Sequence, residues 1–155
     1  MIKTKTILIL ILTSFLFTHC GYTPQYSKDK YLNFSIDLIN VSGDRDFNNY
    51  LKSKLNPYIY NDSSKEKNFK ISLDSFYEKI ISLKNSSGVA TEYELKVTVK
   101  FNINLGNVTK EIKMIETFNM NKMNDTFEEN NYERTIKDNF ANIVKEKLIF
   151  YLLEM

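Results

Sequence analysis

One cysteine, one histidine, two prolines and four glycines are spread over 155 residues, and each scarcity excludes something. A single cysteine permits no disulfide within the chain. His19 and Cys20 stand side by side, and no histidine follows them. The body of the chain therefore lacks Ser–His and Cys–His nucleophile pairs and any histidine-based metal site. So few glycines and prolines argue against a turn-dense β-sandwich and against a flexible linker protein. No HExxH, P-loop, GxSxG or EF-hand spacing occurs. Two carboxylates meeting in space, Asp74 and Glu92 for instance, would be the remaining route to catalysis; solvated strand faces are the simpler reading of both. The expectation is a protein that is not an enzyme, with no metal and no cofactor.

An apolar content of 43% with 14% aromatic residues is enough for a core, and the length suits one domain. The long hydrophobic run is at the start. Lys3 and Lys5 precede "ILILILTSFLF" (residues 7–17), shorter than the ~20 apolar residues that span a bilayer. A basic flank, a short apolar run and a polar continuation describe an export signal, with a buried core helix as the alternative. Cys20 then reads as the lipidation site of a bacterial lipoprotein: residues 1–19 are removed, and the thiol and the new N-terminus carry acyl chains. Each buried CH₂ adds ~0.8 kcal/mol of anchoring. Where such signals usually place a small residue, His19 stands instead. The other reading of Cys20 is a chance cysteine behind an ordinary signal. Gly21, not Asp, follows it, which by the usual sorting rule directs a lipoprotein to the outer membrane.

Removal of Lys3 and Lys5 from the 21 basic residues leaves 19, against 19 acidic residues. A neutral mature chain has no field for polyanions, so nucleic acid is not an expected partner.

Residues 20–155 read as one domain. "KYLNFSIDLIN" alternates Leu32, Phe34, Ile36 and Leu38 against polar neighbours, a half-buried strand. Phe47, Tyr50, Leu51, Lys54 and Leu55 fall at helical spacing, with Asp44 as N-cap and Pro57 stopping the helix near Asn56. The tract 61–68 is polar loop. Phe69, Ile71, Leu73 and Tyr77 alternate again, but Phe76 and Ile80 blur the pattern, as a bulge or a switch of buried face would. The clearest stretch is "TEYELKVTVKFNINL": Tyr93, Leu95, Val97, Val99, Phe101, Ile103 and Leu105 are apolar and every intervening residue is polar. A one-residue slip would expose all of them, so this register is strongly specified. Gly106-Asn107 makes a two-residue hairpin turn, and Val108, Ile112, Met114, Phe118 and Met120 share one face of the return strand. Thr126 and Glu129 form a capping-box pattern. Tyr132, Ile136, Phe140, Ile143, Val144, Leu148, Tyr151 and Leu152 then stripe a long helix. The order β-α-β-β-β-α predicts an α+β two-layer sandwich: a four-stranded, mostly antiparallel sheet, its first two strands parallel through a right-handed crossover, with both helices on one face. The long strands at 92–105 and 108–121 should project past the helices.

Several of these strings resemble one family. "CGYTPQY", "LKNSSGVATEYELKVTVKFNI" and "ETFNMNKMNDTFEENNYERTIKDNFANIVKEKL" are similar to LptE, the lipopolysaccharide-assembly lipoprotein family. The likeness runs over the whole mature chain; Ala90-Thr91-Glu92-Tyr93 is its best string, and a polar tail after the last helix is missing. The resemblance implies an outer-membrane lipoprotein on the periplasmic side, plugging and helping to assemble the β-barrel LptD, and binding lipopolysaccharide. By position it implies Lys84 and, less directly, Lys122 as lipopolysaccharide contacts. Asn85, Ser86, Ser87, Thr91, Glu92 and Tyr93 would be barrel contacts. The alternatives are a periplasmic lipoprotein subunit of a lipid-transport ABC system and a purely structural lipoprotein.

Overall fold

The computed structural model describes residues 33–59 and 65–155. Leu32, Cys20 and the expected leader 1–19 lie outside the described residues. Six segments and their connections make the domain: β1 (Phe34–Gly43), α1 (Arg45–Leu55) with a 3-10 turn (Asn56–Tyr58), β2 (Lys67–Lys84), β3 (Ala90–Leu105), β4 (Val108–Asn121) and α2 (Thr126–Leu153). The sheet order is β1-β2-β3-β4. β1 and β2 are parallel and the remaining pairs antiparallel, so the α+β architecture is the one that the patterning predicts.

The core follows the alternation of β3. Leu95, Val97, Val99, Phe101 and Ile103 are fully buried, and Phe69, Ile71 and Leu73 of β2 join them. Against them lie Phe47, Leu51 and Leu55 of α1 and Ile136, Phe140, Val144, Leu148 and Leu152 of α2. Burying each such side chain contributes roughly 1.5–3 kcal/mol. Tyr132 and Ile143, although on the expected stripe, remain 40% and 38% exposed. α2 leaves much of the adjoining face of β4 open, where only Met120 is buried.

The blurred pattern in β2 has neither of the two expected causes. Lys70 to Ile81 pair with Asn104 to Tyr93 without interruption, and the irregularities come later, between Ile81 and Lys84. Across the blurred stretch β2 does not change which face it turns inward; Phe76 and Ile80 simply point to the uncovered side, 61% and 42% exposed. Ser75 takes the inward place between Leu73 and Tyr77.

That serine belongs to a buried polar node at the crossover. Asp44 caps α1, its carboxylate accepting from the Phe47 N–H at 2.8 Å, while its own N–H donates to Ser75 O and Oγ at 3.1 and 3.0 Å. Ser75 Oγ donates to Asn48 Oδ1 at 2.8 Å, and Asn48 Nδ2 donates to Ser42 O at 2.8 Å. Every polar group brought inside is thereby satisfied. Gly43 makes the approach feasible: its φ is +95°, and a Cβ there would lie 1.8 Å from Ser75 O.

Two helix ends refine the sequence reading. α1 ends at Leu55 with Asn56 as its C-cap, where Pro57 is expected to stop it, and the chain continues into the 3-10 turn with Pro57 in its first positions. The N-cap of α2 is Asp125, not Thr126: its Oδ1 accepts from Phe127 N–H at 2.6 Å and Glu128 N–H at 3.1 Å. Glu129 consequently sits one place too deep for a capping box and reaches back to the Met123 N–H at 3.0 Å.

Candidate functional site

The sequence-predicted contacts gather at one end of the sheet, around the β2–β3 hairpin. Its loop is closed by Asn85. The Asn85 N–H donates to Val89 O and Asn85 O accepts from Gly88 N–H, both at 2.9 Å. Its Oδ1 accepts from the Ser87 and Val89 N–H groups at 3.0 and 2.9 Å. Asn85 and the positive φ of Gly88, +79°, thus account for "KNSSGV" as a loop with a defined shape. Asn85 is a loop-former first, and Ser86 and Ser87 are exposed on its turn.

Lys84 pairs with Ala90 across the hairpin. On the other side of the same strand, the Lys122 N–H donates to Thr91 O at 2.9 Å. Residues far apart in sequence, Lys84 and Lys122, therefore flank the first two residues of β3, and both are exposed. With neighbouring strands ~4.8 Å apart, their backbones are on the order of 10 Å from one another. Large apolar side chains crowd the same end: Ile81, Leu83, Val89 and Phe127 are 47%, 56%, 49% and 73% exposed. Cations beside uncovered apolar side chains form a surface suited to an anionic amphiphile.

Under this end lies a charged cluster that sequence reasoning missed. Lys79 Nζ donates to Glu129 Oε1 at 2.8 Å and Glu133 Oε2 at 3.0 Å, and stands 4.4 Å from the centroid of the Tyr93 ring. Tyr77 Oη donates to Glu133 Oε1 at 2.9 Å, and Lys137 Nζ stands 3.9 Å from the Tyr77 ring centroid. Burial by itself would lower the Lys79 pKa, but the hydrogen bonds to Glu129 and Glu133 outweigh it and raise it. The Lys79 hydrogen bond holds the Glu129 carboxyl below its usual range, against burial and with help from the Met123 N–H. Burial and the Glu133 carboxylate raise the Tyr77 hydroxyl. Tyr93 and the start of α2 are thus tied to the base of the hairpin. No local spacing could announce this, because Lys79 lies 50 and 54 residues from its partners.

Asp74 and Glu92 do not meet. Asp74 pairs with Lys100 and accepts from Ser42 Oγ at 2.7 Å, whereas Glu92 accepts from Ser82 Oγ at 2.7 Å. Eight residues of β3 separate Lys100 from Glu92, about 26 Å at strand rise. Among the described residues no His, Cys, Asp or Glu cluster could hold a metal ion, and no helix is long and apolar enough to cross a membrane.

No family model matches the chain, and no curated protein matches it in sequence. Its architecture is nevertheless shared with a bacterial lipoprotein of known structure. The rare lipoprotein B from Shewanella oneidensis superimposes with a TM-score of 0.56 at 15% identity, over 76% of this chain and 98% of the other. A minor lipoprotein from Acinetobacter baumannii gives a TM-score of 0.49 at 18% identity, over 77% and 93% of the two chains. A lipoprotein from Caulobacter crescentus gives 0.46 at 10% identity, over 83% and 96%. The first of these likenesses establishes a common fold.

Proposed function

We propose that this chain is a non-enzymatic outer-membrane lipoprotein that binds lipopolysaccharide and plugs an LptD-type β-barrel, helping it assemble. The observation that carries the reading is the placement of Lys84 and Lys122 on either side of the start of β3, at the end of the sheet where Ile81, Leu83, Val89 and Phe127 are exposed. Lipopolysaccharide offers phosphates to such lysines and acyl chains to such apolar side chains. The lipoprotein signal, the family resemblance and the fold shared with a known lipoprotein support the same assignment. A sheet face that no described element covers, lined by Asp74, Glu78, Lys96, Lys100, Glu111 and Lys113, suits the polar interior of a barrel.

The decisive experiment is affinity purification of the tagged full chain from outer membranes. A large β-barrel protein should co-purify in stoichiometric amount. Recovery of inner-membrane transporter subunits in its place would move the chain to the lipid-transport ABC alternative. Recovery of neither would leave no barrel role.

A further inference from the structure

We infer that the end of the sheet opposite the hairpin site rests on the lipid surface that anchors the chain, with Phe150 and Leu153 of α2 entering the headgroup region. The inference rests on the lipoprotein reading of Cys20. At this end the starts of β1 and β2 lie side by side, Phe34 pairing with Lys67, and Lys70 pairs with Asn104 just before the β3–β4 turn. The end of α2 arrives there too, because Leu152 and Leu153 line a small cleft with Asn33, Phe34 and Lys67. Ile149 and Leu152 are buried, but Phe150, Leu153 and Val108 are 65%, 53% and 50% exposed. Phe150 and Leu153 are three residues apart and so share one helix face. Uncovered apolar side chains gathered in one place mark a contact with lipid or protein.

The length of chain ahead of β1 selects lipid as the partner and this end as the contact. Residues 21–32 join Cys20 to Asn33. Asn33 is held beside β2, its O accepting from Lys67 N–H at 3.3 Å and its Nδ2 donating to Glu66 Oε2 at 2.6 Å. At no more than ~3.6 Å per residue, the connection keeps Asn33 within about 47 Å of the acylated cysteine. From Lys67 to Lys84, β2 carries the sheet on the order of 55 Å at strand rise. A molecule standing on its hairpin would therefore hold Asn33 farther from the bilayer than the connection reaches. Lying on the uncovered face would press Asp74, Glu78, Lys96 and Lys100 against lipid and strip their hydration. Lying on α2 would do the same to Glu128, Arg134 and Glu146, all exposed. The end that carries Phe150 and Leu153 meets none of these obstacles. Its charged residues, Glu66, Lys67, Lys110 and Glu154 among them, are of both signs, so the contact is apolar in kind and should not depend on salt. It uses no residue of the hairpin site or of the uncovered face, which stay free for lipopolysaccharide and barrel.

The chain has no tryptophan, so a single introduced one reports on its own surroundings. The acylated full chain carrying Phe150→Trp, Leu153→Trp or, for comparison on the uncovered face, Phe76→Trp is reconstituted into phosphatidylcholine vesicles with and without bromine on the acyl chains. All three sites are exposed, and circular dichroism checks that each variant is folded. A side chain seated ~5–10 Å into the headgroup–acyl boundary should lose about half of its emission or more to bromine. That loss is expected for Phe150→Trp and Leu153→Trp, at low and high salt alike, and not for Phe76→Trp. Flotation of the same vesicles reads the acyl anchor separately. If the chain floats but either α2 variant stays unquenched, or Phe76→Trp is quenched equally, this inference falls and the lipoprotein reading stands. A chain that does not float overturns both.

Discussion

Lys79 shows how one side chain can connect three elements. Its ammonium joins β2 to two carboxylates of α2 and covers the ring of Tyr93 on β3. Glu129 is the member most dependent on it, being buried and lowered in pKa. A carboxyl lowered in the folded state contributes stability that is present above its unfolded pKa and lost as pH falls through the folded value. Glu129→Gln should therefore cost about 1–3 kcal/mol at pH 7. Its deficit should shrink in urea melts at about pH 3, below the ordinary glutamate pKa of ~4.3. An equal deficit at both pH values would show that the charge of Glu129 is irrelevant. At this scale the sequence is legible where partners are near neighbours, as for Asp44 capping Phe47. It is silent where they are not. Ser75 looks like an interruption of an apolar row until Asp44, Asn48 and Ser42 close around it.

Among the elements, β3 was the easiest to read because each of its faces is chemically uniform. The same uniformity fixes which face is buried, so opposite substitutions on adjacent residues should separate cleanly. Phe101→Asp places a charge where nothing is exposed and should remove on the order of 4 kcal/mol or more, enough to unfold the domain. Lys100→Asp, exposed on the other face, should fall within about 0.5 kcal/mol of wild type. Indistinguishable urea midpoints would mean the register is wrong. β2 was harder to read because apolar residues on its uncovered face mimic a defect. The start of α2 was misread because Asp125 and Thr126 are both good caps, and only the observed backbone decides between them. The order of elements and the parallel crossover needed no such detail, since they follow from periodicity and connection length.

Across the whole molecule the candidate site was legible only in part. The family resemblance indicated Lys84 and Lys122 singly; that they flank the same two residues of β3 is a consequence of the meander and could be seen only once the strands were paired. The hairpin loop is exposed, and so is Lys84 at the end of β2 beside it, so its substitution should leave the fold intact. Lys84→Glu should weaken lipopolysaccharide binding by the full chain about 3- to 10-fold at low salt. The difference should narrow as the Debye length falls from ~30 Å at 0.01 M to ~8 Å at 0.15 M. Affinity unaltered at both salt concentrations would reduce Lys84 to a solvated surface lysine.

The crossover at Gly43 also bears on which sequences can adopt this fold. Core positions tolerate exchange among apolar residues of similar volume at modest cost. Gly43 has no such latitude, because even a methyl group would collide with the backbone of β2. A sequence that builds this crossover needs a glycine followed by a capping residue, with a small hydroxyl-bearing residue about thirty places on. That sparse pattern, three positions and a gap, is set by backbone geometry and not by core composition.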